Sequence, residues 1–411
     1  MCLPETGQSP FESNPPSDIL ERSRVLIDLG MVKSNLKKIR HYLGAGVGVL
    51  PVVKSDAYGH GMIRVSQALS REVPEGVAVM SPGEGMTLRQ AGIKGRIILM
   101  SGFLPGEWES VISSRLTPVL HHPDQVASIP KQEGSRRVPV HLKFDTGMGR
   151  LGFLPEQVHE LVNLLKDRPD IMVEGIMTHF ASGEDLDATV EAWRKLSYPI
   201  LELEREKLLP ERFVIHAGNS SAILSGGWKN HLAGMPPDLI ERASIWVRPG
   251  LLLYGFEGEN VSNQLGVTGC MEVEARLLSV RSLPSRTGIS YGSTIHLKES
   301  TTVGVAGMGY SDGLPRLLSN RGWAYSQGRV LPFLGRVCMD MVMLDLGKTG
   351  THRIGDWVTV LGNGKTGAMT AGDVAGISGT IPYEILCLLG RRSPRLYREN
   401  STTETSIDED P

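Results

Sequence analysis

Cysteine is scarce in this chain, aromatic residues are few, and neither sign of charge prevails. The four cysteines, Cys2, Cys270, Cys338 and Cys387, share no CxxC spacing among 411 residues. That excludes a disulfide framework or zinc ribbon and fits free thiols in a reducing compartment, with no metal expected. Lysine and arginine total 43 against 45 aspartates and glutamates, a net charge of −2. Such a balance offers no bulk electrostatic attraction for nucleic acid or a membrane surface. No run is long and apolar enough to span a bilayer. Met1 to Pro16 carries Pro4, Glu5, Pro10, Glu12, Pro15 and Pro16 where a secretory signal needs an apolar core. These absences predict a cytoplasmic protein with no nucleic-acid or membrane partner. Residues 1–22 read as a flexible tail and 399–411 as a disordered acidic one.

What remains is too long for one ordinary core. Val25 to Asp28 is strand-like, and after it strand-like runs and helical patterns alternate through the first part. The strand candidates are 48–53, 76–80, 96–100, 117–120, 138–144, 172–177, 213–216 and 244–247, and the helical patterns between them include 62–69, 82–91, 155–165 and 186–203. Eight strands interleaved with helices predict a parallel (β/α)8 barrel. Past Asn260 the texture changes to short β-rich runs, 329–346 among them, separated by Gly, Pro and Ser, which predicts a C-terminal all-β domain. The bounds expected are 23–264 for the barrel and 265–398 for the β domain.

In such a barrel, chemistry sits on the loops at the C-terminal ends of the strands. The unusual polar residues fall there: Lys54 in PVVKSDAYGHG, Asp145 to Arg150 in KFDTGMGRLG, His179 in GIMTHFA, Asn219 and Ser220 in HAGNSSA, and Arg248 to Leu251 in RPGLLLYG. A lysine leaving a buried strand for a partly desolvated mouth loses basicity and can form a Schiff base with a carbonyl. Taken alone, it reads equally as a snorkelling surface lysine. Ser220 offers a hydroxyl at a helix start, and Gly250 and Leu251 offer backbone N–H groups, donors of the kind that cradle a phosphate. Asn219-Ser220 by itself is also an ordinary N-cap, and Arg248 before Pro-Gly an ordinary strand-end charge.

The whole series, continued by GISYGST, GYSDGLPR, GRVCMDM and TIPYE, resembles the alanine racemase family from about Ser23 to Tyr397. The resemblance implies pyridoxal 5′-phosphate bound at Lys54, with Tyr58, Ser220, Gly250, Leu251 and Tyr383 around its phosphate and Asn219 alongside. It places Arg248 at the pyridine nitrogen. An arginine offers only donors and keeps its charge, so it leaves that nitrogen unprotonated and favours reprotonation over transamination. Racemisation needs bases on both faces of Cα–H. The resemblance assigns one face to Lys54 and the other to Tyr291, made more acidic by His179 and, through it, Arg248. In the family this tyrosine comes from the partner subunit, which implies a homodimer with shared sites. Arg150, Met339 and Asp340 are implied at the substrate carboxylate, Tyr310 at the entrance, and Lys143 as a site of carbamylation that orients Arg150.

The activity implied is interconversion of L- and D-alanine, supplying D-alanine for peptidoglycan. Departures are local: GNSS for the commoner ANSA, SGEDLD after His179, and YGST where an arginine often follows YG. The last two leave open a broader racemase acting on serine, lysine or ornithine. A pyridoxal-phosphate-binding regulatory protein without turnover is the alternative from another class, opposed by the β domain that carries Tyr291. A related decarboxylase would offer a carboxylate, not Arg248, at the ring nitrogen.

Overall fold

The computed structural model describes residues 20–131, 137–232, 235–256, 265–348 and 351–399. The two tails read from sequence lie outside them, except for Leu20 to Arg22 and Glu399. Eight strands form the first sheet: β2 (Gly48–Val49), β3 (Val77–Val79), β4 (Ile97–Leu99), β5 (Thr117–Leu120), β6 (Val138–Lys143), β7 (Ile171–Met177), β8 (Phe213–His216) and β9 (Ala243–Val247). All neighbours run parallel, in the order β2-β9-β8-β7-β6-β5-β4-β3. The ring closes just past β2, where Val53 N–H donates to Ala78 O at 2.9 Å and Ala78 N–H to Pro51 O at 2.8 Å. Most of these strand residues are buried, because helices cover the outside while side chains fill the interior.

The second sheet contains β1 (Ser23–Asp28), β10 (Met271–Leu283), β13 (Thr301–Ala306), β14 (Trp323–Ser326), β15 (Arg329–Leu334), β16 (Val342–Gly347), β17 (Trp357–Leu361) and β18 (Arg395–Arg398). A small hairpin, β11 (Gly288–Ile289) with β12 (Ile295–His296), hangs from it. Strand β13 pairs with both β16 and β10, so six of the strands close on themselves. Three expectations need correction. Ser23–Asp28, grouped by position with the barrel, pairs antiparallel with β10 and parallel with β18. The run 329–346 is two strands, because Gly335 at φ 75° turns the chain out of the sheet before Val342. Two helices unread in the sequence, Ala371–Ser378 and Pro382–Leu388, precede β18.

The linker between sheets is anchored by the helix Leu29–Leu43. Asp28 caps it by accepting from Met31 N–H at 2.8 Å. Leu29, Val32, Leu36, Ile39 and Leu43 form its buried stripe at helical spacing. Asn35, buried on that stripe, donates to Leu253 O and Thr268 O at 3.1 and 2.9 Å. A single apolar core runs through both units, so the sheet domain holds a fixed position beside the barrel mouth.

Candidate active site

A cavity of about 530 Å³ opens at the C-terminal ends of the barrel strands, within the size range of small-molecule sites. Lys54, Tyr58, Lys143, Arg150, His179, Asn219, Ser220, Arg248, Gly250 and Tyr383 all line it. The ends of five barrel strands and one helix of the sheet domain therefore converge on one space. Leu251 is buried beside Gly250 without lining it.

Lys54 is aimed by a local conformation that the sequence does not announce. Ser55, Asp56, Ala57 and Tyr58 have φ of 53°, 53°, 54° and 55°, one left-handed turn of four non-glycine residues. Each such residue costs about 1 kcal/mol or more, so the turn exists only because its polar groups are tied down. Ala57 N–H donates to Val53 O at 2.8 Å and Gly61 N–H to Asp56 O at 2.9 Å. Ser55 N–H donates to Glu84 Oε1 and Met62 N–H to Asp56 Oδ1. His60 Nδ1 lies 3.0 Å from both Ala57 O and Tyr58 O. The glycine-opened loop expected here is thus a held turn. Burial lowers the Lys54 pKa, with the Arg150 guanidinium as the second cause and Glu84 opposing, so its amine sheds a proton more readily than an exposed lysine.

Arg248 is the most constrained polar group of the site. It is 3% exposed. Its Nη2 donates to Thr178 O at 2.8 Å and Ala217 O at 3.1 Å and faces His179 Nδ1 at 3.3 Å. Burial presses its pKa down to about 9, which leaves it charged at neutral pH. Because arginine only donates, His179 must accept with Nδ1 and carry its proton on Nε2. Burial, then Arg248, Arg150, Lys143 and Lys54, hold the His179 pKa at about 3, so it is neutral. Lys143, 3% exposed, falls to about 8 through burial, Arg150 and Arg248. The loop carrying Arg150 folds around Asp145, whose carboxylate accepts from the N–H groups of Gly147, Met148 and Arg150 at 2.8 to 2.9 Å.

On the opposite wall, Tyr58 and Tyr383 pack with ring centroids 5.8 Å apart. Burial raises both phenol pKa values, so both stay protonated donors. Gly250 has to be glycine, since a Cβ there would lie 2.5 Å from the Tyr58 oxygen. Asn219 caps the helix Ser220–Ser225 by accepting from Ala222 N–H at 3.0 Å. Ser220 Oγ accepts from the N–H groups of Gly250 and Leu252, both at 3.2 Å. The backbone donors on Ser220 Oγ are therefore Gly250 and Leu252, which ties the turn after Gly250 to the start of the Ser220–Ser225 helix.

Tyr291, Tyr310, Met339 and Asp340 of the sheet domain do not join this cavity. Tyr291 is 71% exposed, Met339 54% and Tyr310 42%. They lie together all the same. Ser290 Oγ donates to Arg336 O at 2.7 Å, Tyr310 N–H to Cys338 O and Ser311 N–H to Met339 O, both at 3.0 Å. Asp340 accepts from Arg392 Nη2 at 2.7 Å, while Arg392 Nε donates to Asp312 at 2.9 Å. Sequence reasoning overlooked Glu84 and the two buried histidines behind Arg248, His141 and His216. The available signal was the position of His141, two residues before Lys143 on the same strand.

Alanine racemase domain models match most of the chain, the N-terminal one over residues 27–258 and the C-terminal one over 270–397. The chain belongs to the alanine racemase family. The alanine racemase of Halothermothrix orenii is 34% identical over 378 residues, spanning 90% of this chain and 96% of the relative. That of Synechocystis is 33% identical, spanning 92% and 99%. Among solved structures, the alanine racemase of Clostridium difficile 630 superposes with a TM-score of 0.82 at 28% identity, over 93% of this chain and 97% of that one. The Bartonella henselae alanine racemase, with covalently bound pyridoxal phosphate, gives 0.76 at 25% identity, over 92% and 100%. For this family member, the barrel with its C-terminal β domain is the family's architecture. Among the described residues, no helix is long and apolar enough to cross a membrane and no group of three His, Cys, Asp or Glu could hold a metal ion.

Proposed function

We propose that this alanine racemase family member binds pyridoxal 5′-phosphate at Lys54 and works as a homodimer whose sites combine a barrel with the partner's sheet domain. Racemisation of L- and D-alanine is the activity of the family to which the chain belongs. The observation that carries the site assignment is the convergence of Lys54, Arg150, His179, Arg248, Tyr58 and Tyr383 on one cavity.

The donor set fits the cofactor. Two protonated phenols, Tyr58 and Tyr383, stand with Ser220, Gly250 and Asn219 on the wall suited to a phosphate, and Gly250 keeps that wall open. Arg248 would meet the pyridine nitrogen, and Arg150 the phenolic oxygen and the substrate carboxylate. Bound there, pyridoxal phosphate supplies a conjugated ring that weakens the substrate Cα–H bond.

The chain's own residues do the rest. Lys54 Nζ, made less basic by burial and Arg150, takes or returns the Cα proton on one face. The Tyr291 oxygen of a second copy would act on the other face, with His179 Nε2–H stabilising its phenolate. Arg248 holds His179 in that tautomer. Met339 and Asp340 of the same second copy would border the substrate carboxylate, and Tyr310 the entrance. A carbamate on Lys143 would replace a poorly solvated ammonium by an anion beside Arg150. Cys270, Cys338 and Cys387 are free thiols, which supports a cytoplasmic location; the D-alanine formed there would supply peptidoglycan.

The test is loss of optical rotation with L-alanine, L-serine, L-lysine and L-ornithine on purified protein. Turnover of alanine above the others supports the reading. A preference for serine, lysine or ornithine would replace it with the broader racemase, and cofactor binding without turnover with the regulatory protein.

A further inference from the structure

Behind the cavity a line of polar side chains crosses the barrel interior. Arg248 Nη1 faces His216 Nδ1 at 3.4 Å, and His216 Nε2 lies 2.7 Å from His141 Nδ1. His141 Nε2 has no hydrogen-bond partner and faces Glu174 Oε2 at 3.8 Å. Glu174 pairs through its other oxygen with Arg96 at 2.6 Å. Strands β6, β7 and β8 and the end of β9 each contribute one member. Both imidazoles are completely buried. Gly175, next to Glu174 on β7, makes room for the pair: a Cβ there would lie 2.6 Å from His141 Nδ1.

Burial pushes both histidine pKa values down, so each ring is neutral with a single N–H. Two neutral imidazoles 2.7 Å apart share one proton, and the line has two possible directions. In one, His141 donates from Nδ1 to His216. That would aim the His141 Nε2 lone pair at the Glu174 carboxylate and the His216 Nδ1–H at a guanidinium that can only donate. Both ends oppose it. In the other direction, His141 keeps its proton on Nε2 toward Glu174, His216 donates from Nε2, and His216 Nδ1 offers a lone pair to Arg248. Every contact is then complementary.

We propose that His141 and Glu174 are positioning residues that fix the tautomer of His216, and through it the orientation of Arg248 beneath the reacting group. This rests on the role given to Arg248 above. The carboxylate acts from the far side of the barrel, through two rings that touch neither substrate nor cofactor. Replacing it leaves the cavity lining intact while removing what selects the direction of the line.

The experiment combines long-range 15N–1H spectra of histidine-labelled protein with steady-state kinetics for Glu174→Gln, His141→Leu and His141→Asn. The parent should show His216 protonated on Nε2. Glu174→Gln and His141→Leu should lose that single pattern and reduce kcat by about tenfold with KM nearly unchanged. His141→Asn, which can still accept at the Nδ1 position, should recover most of kcat. A parent His216 protonated on Nδ1 would overturn the proposal. So would altered spectra with kcat within about twofold of the parent, or His141→Asn no better than His141→Leu. Should His141→Leu fail to fold, Glu174→Gln decides alone, since Glu174 is partly exposed and paired at the surface. Arg248→Lys tests the underlying reading separately: full racemisation in that variant would remove the role of Arg248 while the spectra still judge the tautomer.

Discussion

The barrel half of the candidate site and the sheet-domain half are built in opposite ways. In the barrel, Arg248, Lys143 and Ser220 are withdrawn from solvent, and hydrogen bonds settle Arg248, His179 and Ser220 within one chain. On the sheet domain, Tyr291, Tyr310 and Met339 stand out into solvent, although the backbone beneath them is firmly tied. A preorganised half binds and polarises without rearrangement. An exposed aromatic and methionine cluster on a rigid base is what a second surface would cover. The contrast supports a site completed by another copy.

The largest effect expected is from Lys54→Ala, which should abolish racemisation and the visible absorbance of bound cofactor, a loss of roughly a thousandfold or more. Retained absorbance would break the barrel half of the comparison. Next, Tyr291→Phe should lower kcat by about a hundredfold or more, with cofactor absorbance unchanged. The two variants also sharpen the comparison directly. Mixed after dissociation, Lys54→Ala and Tyr291→Phe chains should regain roughly a quarter of parental activity if each site draws on both copies. No recovery on exchange would place both residues in one chain's site.

Lys143 gives a test by pH. Its folded pKa of about 8 lies below the ordinary 10.5, so between those values the unfolded chain binds more protons and stability rises with pH. Below pH 8 the buried ammonium costs about 3 kcal/mol. Lys143→Met should therefore melt higher than the parent at pH 7, with the difference shrinking toward pH 10. A difference that ignores pH would mean that Lys143 is not a free amine, as carbamylation requires. The smallest effect expected is from Glu84→Gln. Loss of the charged acceptor of Ser55 N–H should cost about 1 to 2 kcal/mol in stability, read by denaturant unfolding, with a modest fall in kcat as the Lys54 turn loosens.

Much of this was legible in the chain. Apolar runs such as Ile97–Leu99 and Phe213–His216 mark strands because a parallel sheet buries both faces. The site residues of the barrel were legible because they follow those strands. The strand Ser23–Asp28 was recognised but misplaced, since nothing local distinguishes a strand of one sheet from a strand of another. The left-handed turn at Ser55–Tyr58 was invisible for a related reason. None of its residues favours that conformation, and the contacts that impose it come from Glu84 and His60.

By itself, the amino-acid order determined which segments alternate, which polar groups leave the ends of strands, and which family the motifs match. Those are properties of neighbours along the chain. Only the tertiary structure decided that Lys143 is depressed in basicity, that His141 and Glu174 stand behind Arg248, and that Tyr291 is exposed outside the cavity of its own barrel. Desolvation, hydrogen-bond direction and the facing of two domains depend on residues brought together from distant positions, and no local pattern encodes them.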